Sequence, residues 1–389
     1  MQSPAHTDPS LRSRASAAGG LPRSTVPPFR LIDEELRQVK RLIDEQLAEG
    51  REPVSRLLRS ANIHGGKMIR PGLVLLSYRA VRDGSCAKGL AAKIVENTEK
   101  SQKLMKSATS GGLAVSENQR DTQYEAICVA AIVELIHNAT LLHDDVIDGG
   151  QKRRGKPTVN SLCGNESAVL LGDFLLGKAF KISSDLDPEI ADVIAGTAVR
   201  VCEGELRQVA ERQNWQLSEP EYIDIITEKS ASLFSCCCLV GGLLAGADEA
   251  QARSLADFGL NTGIAFQITD DLLDIIGDES KTGKTPGSDI DNNKLTLAVI
   301  HLLKAVDKRE KRAVINLYMV NREAFLERDT GCEKESLAEK LVRLGSLEYA
   351  HRRAQEFVTK ALDALTDLKE GEAKDALIET AKFIGRRAI

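Results

Sequence analysis

Two long apolar stretches in this chain end on the same acidic cluster. The first closes on Asp144-Asp145-Val146-Ile147-Asp148 and the second on Asp270-Asp271-Leu272-Leu273-Asp274. Both stretches have helical periodicity, so acids at i, i+1 and i+4 fall close to one helix face. Like charges at that spacing repel, and each triplet costs stability until something positive neutralises it. Two such clusters in one chain point to a single site that collects several divalent cations.

The same periodicity runs through most of the chain. Ile32, Leu36, Val39, Ile43 and Leu47 recur at spacings of three and four. Similar patterning covers residues 72–81, 123–147, 165–184, 188–213, 219–246, 249–276, 294–306 and 347–368. Pro188 and Pro220 fall near helix starts, where proline is tolerated. Period-two alternation with β-branched residues is nearly absent. The expectation is all-α: one domain of long helices spanning residues 31–389 of the 389. Aromatics make up only 4%, so the core must be mainly Leu, Ile, Val and Ala.

Two segments break the pattern. Residues 1–30 are rich in Ser, Pro, Ala and Gly and read as a disordered tail. Their arginines and single acid, Asp8, leave an organelle transit peptide open, although Pro4, Pro9, Pro22, Pro27 and Pro28 spoil an amphipathic helix. Residues 83–121 are polar, with Ser and Gly clusters, and read as a surface insertion between two core helices.

Bulk composition excludes several functions. A net charge of −5 argues against nucleic acid as the main partner, because phosphate backbones demand a basic surface. The longest apolar run, residues 236–247, is too short for a transmembrane span, which needs roughly 20 residues. The eight cysteines form no CxxC pair, which speaks against zinc. Cys236, Cys237 and Cys238 read as small core residues in a reducing compartment, and cytoplasm is the default location.

Cations follow each acidic cluster. Lys152-Arg153-Arg154-Gly155-Lys156-Pro157-Thr158 comes just after the first. Carboxylates are hard ligands suited to Mg²⁺ beside phosphate, and arginines grip phosphate oxygens as a fork. The second cluster is followed by a loop with Lys284 and then by Lys294. A further basic element is Gly65-Gly66-Lys67-Met68-Ile69-Arg70, whose two cations share a helix face. Lys229-Ser230 lies within a long helix and says little alone. His137 stands seven residues before Asp144, on the same side of its helix, where a polar contact to substrate fits. Residues 277–285 imitate a phosphate-binding P-loop, but five residues separate Gly277 from Gly283 instead of four, and a helix precedes them.

Together HDDVID, RRGKPT, GNxxAVLLGDFLL, FQITDDLLD and GKTPGSDI resemble the trans-polyprenyl diphosphate synthases, from about Leu31 onward. The resemblance implies the isoprenoid synthase fold, a single bundle of long antiparallel helices around a central cavity. It implies Mg²⁺, three ions per site, held by Asp144, Asp145 and Asp148 on one wall and Asp270, Asp271 and Asp274 on the other. Arg153, Lys229, Ser230, Gln267, Lys284 and Lys294 would hold an allylic diphosphate. Lys67, Arg70, His137 and Arg154 would bind isopentenyl diphosphate. Homodimerisation is implied too, with peripheral membrane contact for product release. Met68 and Asn292-Asn293 depart from the commoner pattern, as do the tail and the insertion.

Chain length depends on the turn before the first triplet. Ala139 lies five residues before Asp144, roughly 7 Å along a helix. A bulky aromatic there would plug a product tunnel; Ala139 and Thr140 leave it open. The string Glu134–Leu142 most resembles the octaprenyl and solanesyl type, so a medium- to long-chain product, a quinone side-chain precursor, is expected. A short-chain (farnesyl or geranylgeranyl) synthase is the alternative. A terpene cyclase or a regulatory subunit fits less well, since neither triplet has lost an aspartate.

Overall fold

A computed structural model describes residues 27–61, 66–83, 122–153, 155–276, 289, 292–320 and 337–387. Most of the expected tail (1–26), most of the expected insertion (84–121), Arg154 and the loop with Lys284 lie outside the described residues. A 3₁₀ turn, Pro27–Ile32, precedes α1 (Asp33–Ala48), α2 (Val54–Ala61), α3 (Ile69–Arg82) and α4 (Thr122–Ile147). Two short antiparallel strands, β1 (Lys152–Arg153) and β2 (Lys156–Pro157), form a hairpin. Next come α5 (Val159–Cys163), α6 (Asn165–Ser183), α7 (Pro188–Ala210) and α8 (Glu219–Ile226). A π-helical turn, Thr227–Ala231, joins α8 to α9 (Ser232–Leu244). After it come α10 (Glu249–Ile276), α11 (Leu297–Ala305), α12 (Lys308–Val320), α13 (Leu337–Arg343), α14 (Ser346–Ala364) and α15 (Glu372–Gly385).

The all-α expectation holds among the described residues, and the reasons are local. In α1 the stripe Leu36, Val39, Ile43 and Leu47 is buried, as its spacing demands. Ser218 caps α8 in a reciprocal box with Glu221, and Asp187 caps α7 ahead of Pro188. Cys236, Cys237 and Cys238 are core residues, and burial pushes their thiols up, Cys236 to about 11 and Cys238 to about 12.

Three expectations need correction. Residues 219–246 form two helices separated by the π turn, not one helix. The helix expected from residue 294 begins at Leu297, because the backbone and side chain of Lys294 are bonded elsewhere. Phe29, assigned to the tail, is fully buried, and its ring lies so close over Gly72 of α3 that a Cβ there would sit 2.5 Å from Cζ.

α4 and α10 carry the two acidic triplets at their C-terminal ends. α4 packs against α1, α3, α6 and α9; α10 packs against α9, α14 and α15. By length and composition α4 could cross a bilayer, a feature the sequence reading passed over. Its mean hydropathy reaches 1.6, yet 78% of that window is buried inside the molecule. A helix apolar on all sides must be buried somewhere, and this one is the core.

Candidate active site

α4 ends at Ile147, and the chain reverses through Gly149, whose φ of +62° suits glycine. The β1–β2 hairpin then returns Arg153 to the helix it has just left. Arg153 Nε donates to both Asp145 oxygens at 2.9 and 3.0 Å, and Nη2 reaches Oδ1 at 2.7 Å. Asn160 of α5 donates to the carbonyls of Asp145 and Gly150, both at 3.0 Å, which fixes the helix end. Asp148 is held by Arg212 Nη2 at 2.7 Å and by Lys294 Nζ at 2.6 Å.

The second triplet divides in the same way. Asp271 is buried; Tyr222 donates to Oδ2 at 2.6 Å and Gln267 Nε2 donates to Oδ1 at 2.7 Å. Burial, and then the nearby Asp289 carboxylate, pushes Asp271 up to about 8. Asp270 lies 3.9 Å from Arg387, and Asp274 accepts the Asp289 amide at 3.0 Å. The three acids of a triplet lie within one arc of about 100°, as expected, but they differ in burial and partners. Asp144 and Asp148, like Asp270 and Asp274, share a face at i and i+4. Asp145 and Asp271 sit about 100° further round, and both are buried.

One continuous chain of bonds ties the two triplets together. The Lys294 side chain rests on Asp148 of α4, and its amide donates to Asp289 O at 2.8 Å. The Asp289 amide in turn rests on Asp274 of α10. Arg153 feels both walls: burial works to lower its pKa, but Asp145, Asp144 and Asp270 outweigh that and hold the guanidinium firmly charged.

The chain matches the polyprenyl synthetase family model over residues 52–329. It belongs to the polyprenyl synthetase family. The fold of this polyprenyl synthetase is accordingly the isoprenoid synthase fold, and its activity is that of a prenyltransferase of the polyprenyl diphosphate synthase type. A short chain isoprenyl diphosphate synthase of Methanothermobacter thermautotrophicus is 31% identical over 90% of this chain and 97% of its own length. An octaprenyl diphosphate synthase of Haemophilus influenzae is 36% identical over 66% of this chain and 76% of its own. A polyprenyl synthase of Caulobacter crescentus, solved with calcium and isoprenyl diphosphate, superposes with a TM-score of 0.75 at 28% identity, covering 95% of this chain and all of that one.

The remaining expected residues of the polyprenyl synthetase separate into those brought to the acids and those held elsewhere. Lys67 is exposed at the surface; desolvation and the neighbouring Arg387 lower its pKa, while Asp270 opposes. The Lys67 ammonium lies 5.5 Å from the Phe383 ring centroid, and the Arg70 guanidinium 4.8 Å from that of Phe234. Lys229 pairs with Glu205 and donates to Gln208 at 2.8 Å, both on α7. Burial acts to lower its pKa, but Asp144, Glu205 and Asp148 together hold it above the ordinary lysine value. Ser230 donates to Gln267 Oε1 at 2.6 Å. His137 is half-buried on α4, and its carbonyl accepts the Thr140 hydroxyl at 2.9 Å. Ala139 is fully buried, so it lines no water-accessible tunnel in this conformation; Thr140 is half-buried.

Sequence reasoning missed Arg212, Tyr222 and Arg387. Arg387 follows α15, stacks 5.2 Å from the Phe266 ring centroid and approaches Asp270. The amphipathic pattern of residues 372–385 was the available signal for the helix that delivers it. Tyr222 is a single residue within a helix and Arg212 a single residue in the turn after one, and neither gave a signal.

Proposed function

We propose that this polyprenyl synthetase uses Mg²⁺ to condense isopentenyl diphosphate with an allylic diphosphate, building a medium- or long-chain all-trans polyprenyl diphosphate. The observation that carries the reading is the Asp148–Lys294–Asp289–Asp274 chain of bonds, which supports taking the two triplets as two walls of one site.

The donor set fits a hard divalent ion. Among the described residues no three His, Cys, Asp or Glu side chains form a ready-made cage. Mg²⁺ does not require one: it takes one or two carboxylates, keeps several waters and shares substrate phosphate oxygens. Asp144 with Asp148, and Asp270 with Asp274, are the residues that would hold it. Asp148 would share its oxygens between the metal and Arg212 and Lys294, while buried Asp145 and Asp271 would join only by giving up Arg153, or Tyr222 and Gln267. Bound Mg²⁺ would supply charge neutralisation for the diphosphate that leaves.

The residues supply the remaining chemistry. Arg153, Lys229 and Lys294, already gathered against the acids, would bind the allylic diphosphate and stabilise pyrophosphate as the carbon–oxygen bond breaks. Lys67 and Arg70 would orient isopentenyl diphosphate, whose double bond attacks the allylic carbon. One proton is then lost from the adjacent carbon, with the departing pyrophosphate as its acceptor. The apolar flanks of α4 and α10 keep water from the carbocation. Ala139, small rather than aromatic, supports elongation past farnesyl length. Its complete burial favours a second reading, a short-chain product.

The apolar face of α7 supports homodimerisation. Val199, Leu206 and Val209 follow a helical stripe and are 58%, 71% and 37% exposed. To test the function, purified protein is incubated with Mg²⁺, labelled isopentenyl diphosphate and geranyl or farnesyl diphosphate, and the products are separated by length. Ladders beyond twenty carbons support the main reading, and arrest at or below twenty supports the short-chain one. A cyclic hydrocarbon, or no incorporation, refutes both.

A further inference from the structure

The π turn faces both triplets. Thr227–Ala231 interrupts what would otherwise be one continuous helix, and π turns of this kind recur at functional sites. The turn carries Lys229, which reaches α7 and lies in the field of Asp144 and Asp148 on α4. The next residue, Ser230, points the other way, to Gln267 on α10 at 2.6 Å. Gln267 holds one oxygen of Asp271, and Tyr222 from α8 holds the other. Both ends of the α8–π-turn unit are thus fastened to one carboxamide–carboxylate pair, half-buried Gln267 and buried Asp271, next to Asp270.

This arrangement is costly for a purely structural clamp. A buried carboxylate and a buried phenol replace what apolar side chains would do at lower desolvation cost. Tyr222 and Ser230 are 3% and 8% exposed. What the polar version adds is direction. With both carboxylate oxygens occupied, the Asp271 side chain has one orientation, and with it the roll of α10 that presents Asp270 and Asp274.

We propose that Tyr222 and Ser230 are positioning residues. Through Asp271 and Gln267 they hold the second acidic triplet in register with Lys229, so that metal binding on α10 and diphosphate binding at the π turn depend on one shared network. This rests on the functional reading above.

Tyr222→Phe and Ser230→Ala each remove one hydroxyl. Each should lower kcat and raise the half-saturating Mg²⁺ concentration by about tenfold, because the roll of α10 that presents Asp270 and Asp274 is no longer fixed, an outer-shell effect of the usual size. KM for isopentenyl diphosphate, which would bind at Lys67 and Arg70, should stay within about twofold. In metal-free protein, amide hydrogen exchange at residues 227–231 should quicken in both variants, a readout independent of activity. The double variant should be no worse than the poorer single variant, because one network fails only once. An unchanged Mg²⁺ midpoint in both variants overturns the proposal, as does a double-variant loss equal to the product of the single losses. If Tyr222→Phe does not fold, Ser230→Ala decides alone by the same midpoint and exchange. An inactive wild-type protein instead refutes the functional reading.

Discussion

Gly204→Ala is the sharpest test of how the cationic π turn is held. Gly204 lies on α7 against the turn, and a Cβ built there would sit 2.3 Å from Lys229 N, 2.8 Å from its Cα and 2.9 Å from Glu228 C. All three are backbone atoms, so no side chain can swing aside. The shortfall from ordinary contact is about 1 Å, and either α7 or the turn must give way by that distance. Overpacking of this kind costs about 1–3 kcal/mol. The exchange itself returns up to about 1 kcal/mol of helix propensity. Gly196→Ala, earlier on the same α7, provides the reference, because nothing lies within 4 Å of its Cβ. That variant should be neutral or slightly stabilised, so the difference between the two isolates the contact. Gly204→Ala should melt a few degrees below Gly196→Ala. A displacement of about 1 Å at Lys229 should also cut turnover by up to about a hundredfold. The assays are thermal unfolding followed by circular dichroism, and initial rates with labelled isopentenyl diphosphate. If Gly204→Ala matches Gly196→Ala in both, close backbone approach does not position Lys229.

Three further outcomes follow from the same geometry. Arg153→Gln leaves the buried Asp145 carboxylate without its bidentate partner, and denaturant unfolding should register a loss of about 3 kcal/mol; no loss would mean that water or Asn160 compensates. Burial raises Asp271 from 3.8 to about 8, so the folded state keeps a proton that the unfolded chain has released. Stability from that proton is complete below the unfolded value and lost as pH rises toward the folded one. The non-titrating Asp271→Asn should therefore gain melting temperature relative to wild type between about pH 4 and about pH 8 in chelator, and a pH-independent difference would contradict this. Leu206→Glu places a charge on the exposed stripe of α7; under the proposed homodimer, sedimentation should show a dimer for the wild type and a monomer for the variant, and a wild-type monomer refutes the proposal.

The helices and the location of the site were legible in the sequence, because both follow from short-range rules. Apolar spacing fixed α1, α4 and α10 almost to the residue, with α10 running Glu249–Ile276 as its pattern indicates. Each acidic triplet at a helix end announced a charged site, since repulsion between neighbouring carboxylates must be answered. The π turn was not legible, because no helix-breaking residue marks 227–231; in the fold Gly204 of α7 packs against its backbone.

The sequence by itself determined that six carboxylates exist at two helix ends, with cations following each. It could not say which carboxylates face the site. Spacing along a helix sets relative angles only, and the inward direction is set by whatever packs against it. Tertiary structure brought Tyr222 and Gln267 to Asp271 and folded the hairpin so that Arg153 covers Asp145. It also carried Arg387 across the chain to Asp270. Those partners are distant in sequence or single residues in plain helices, and burial decides their role: a carboxylate with no water around it must take its hydrogen bonds from whichever donors the fold delivers.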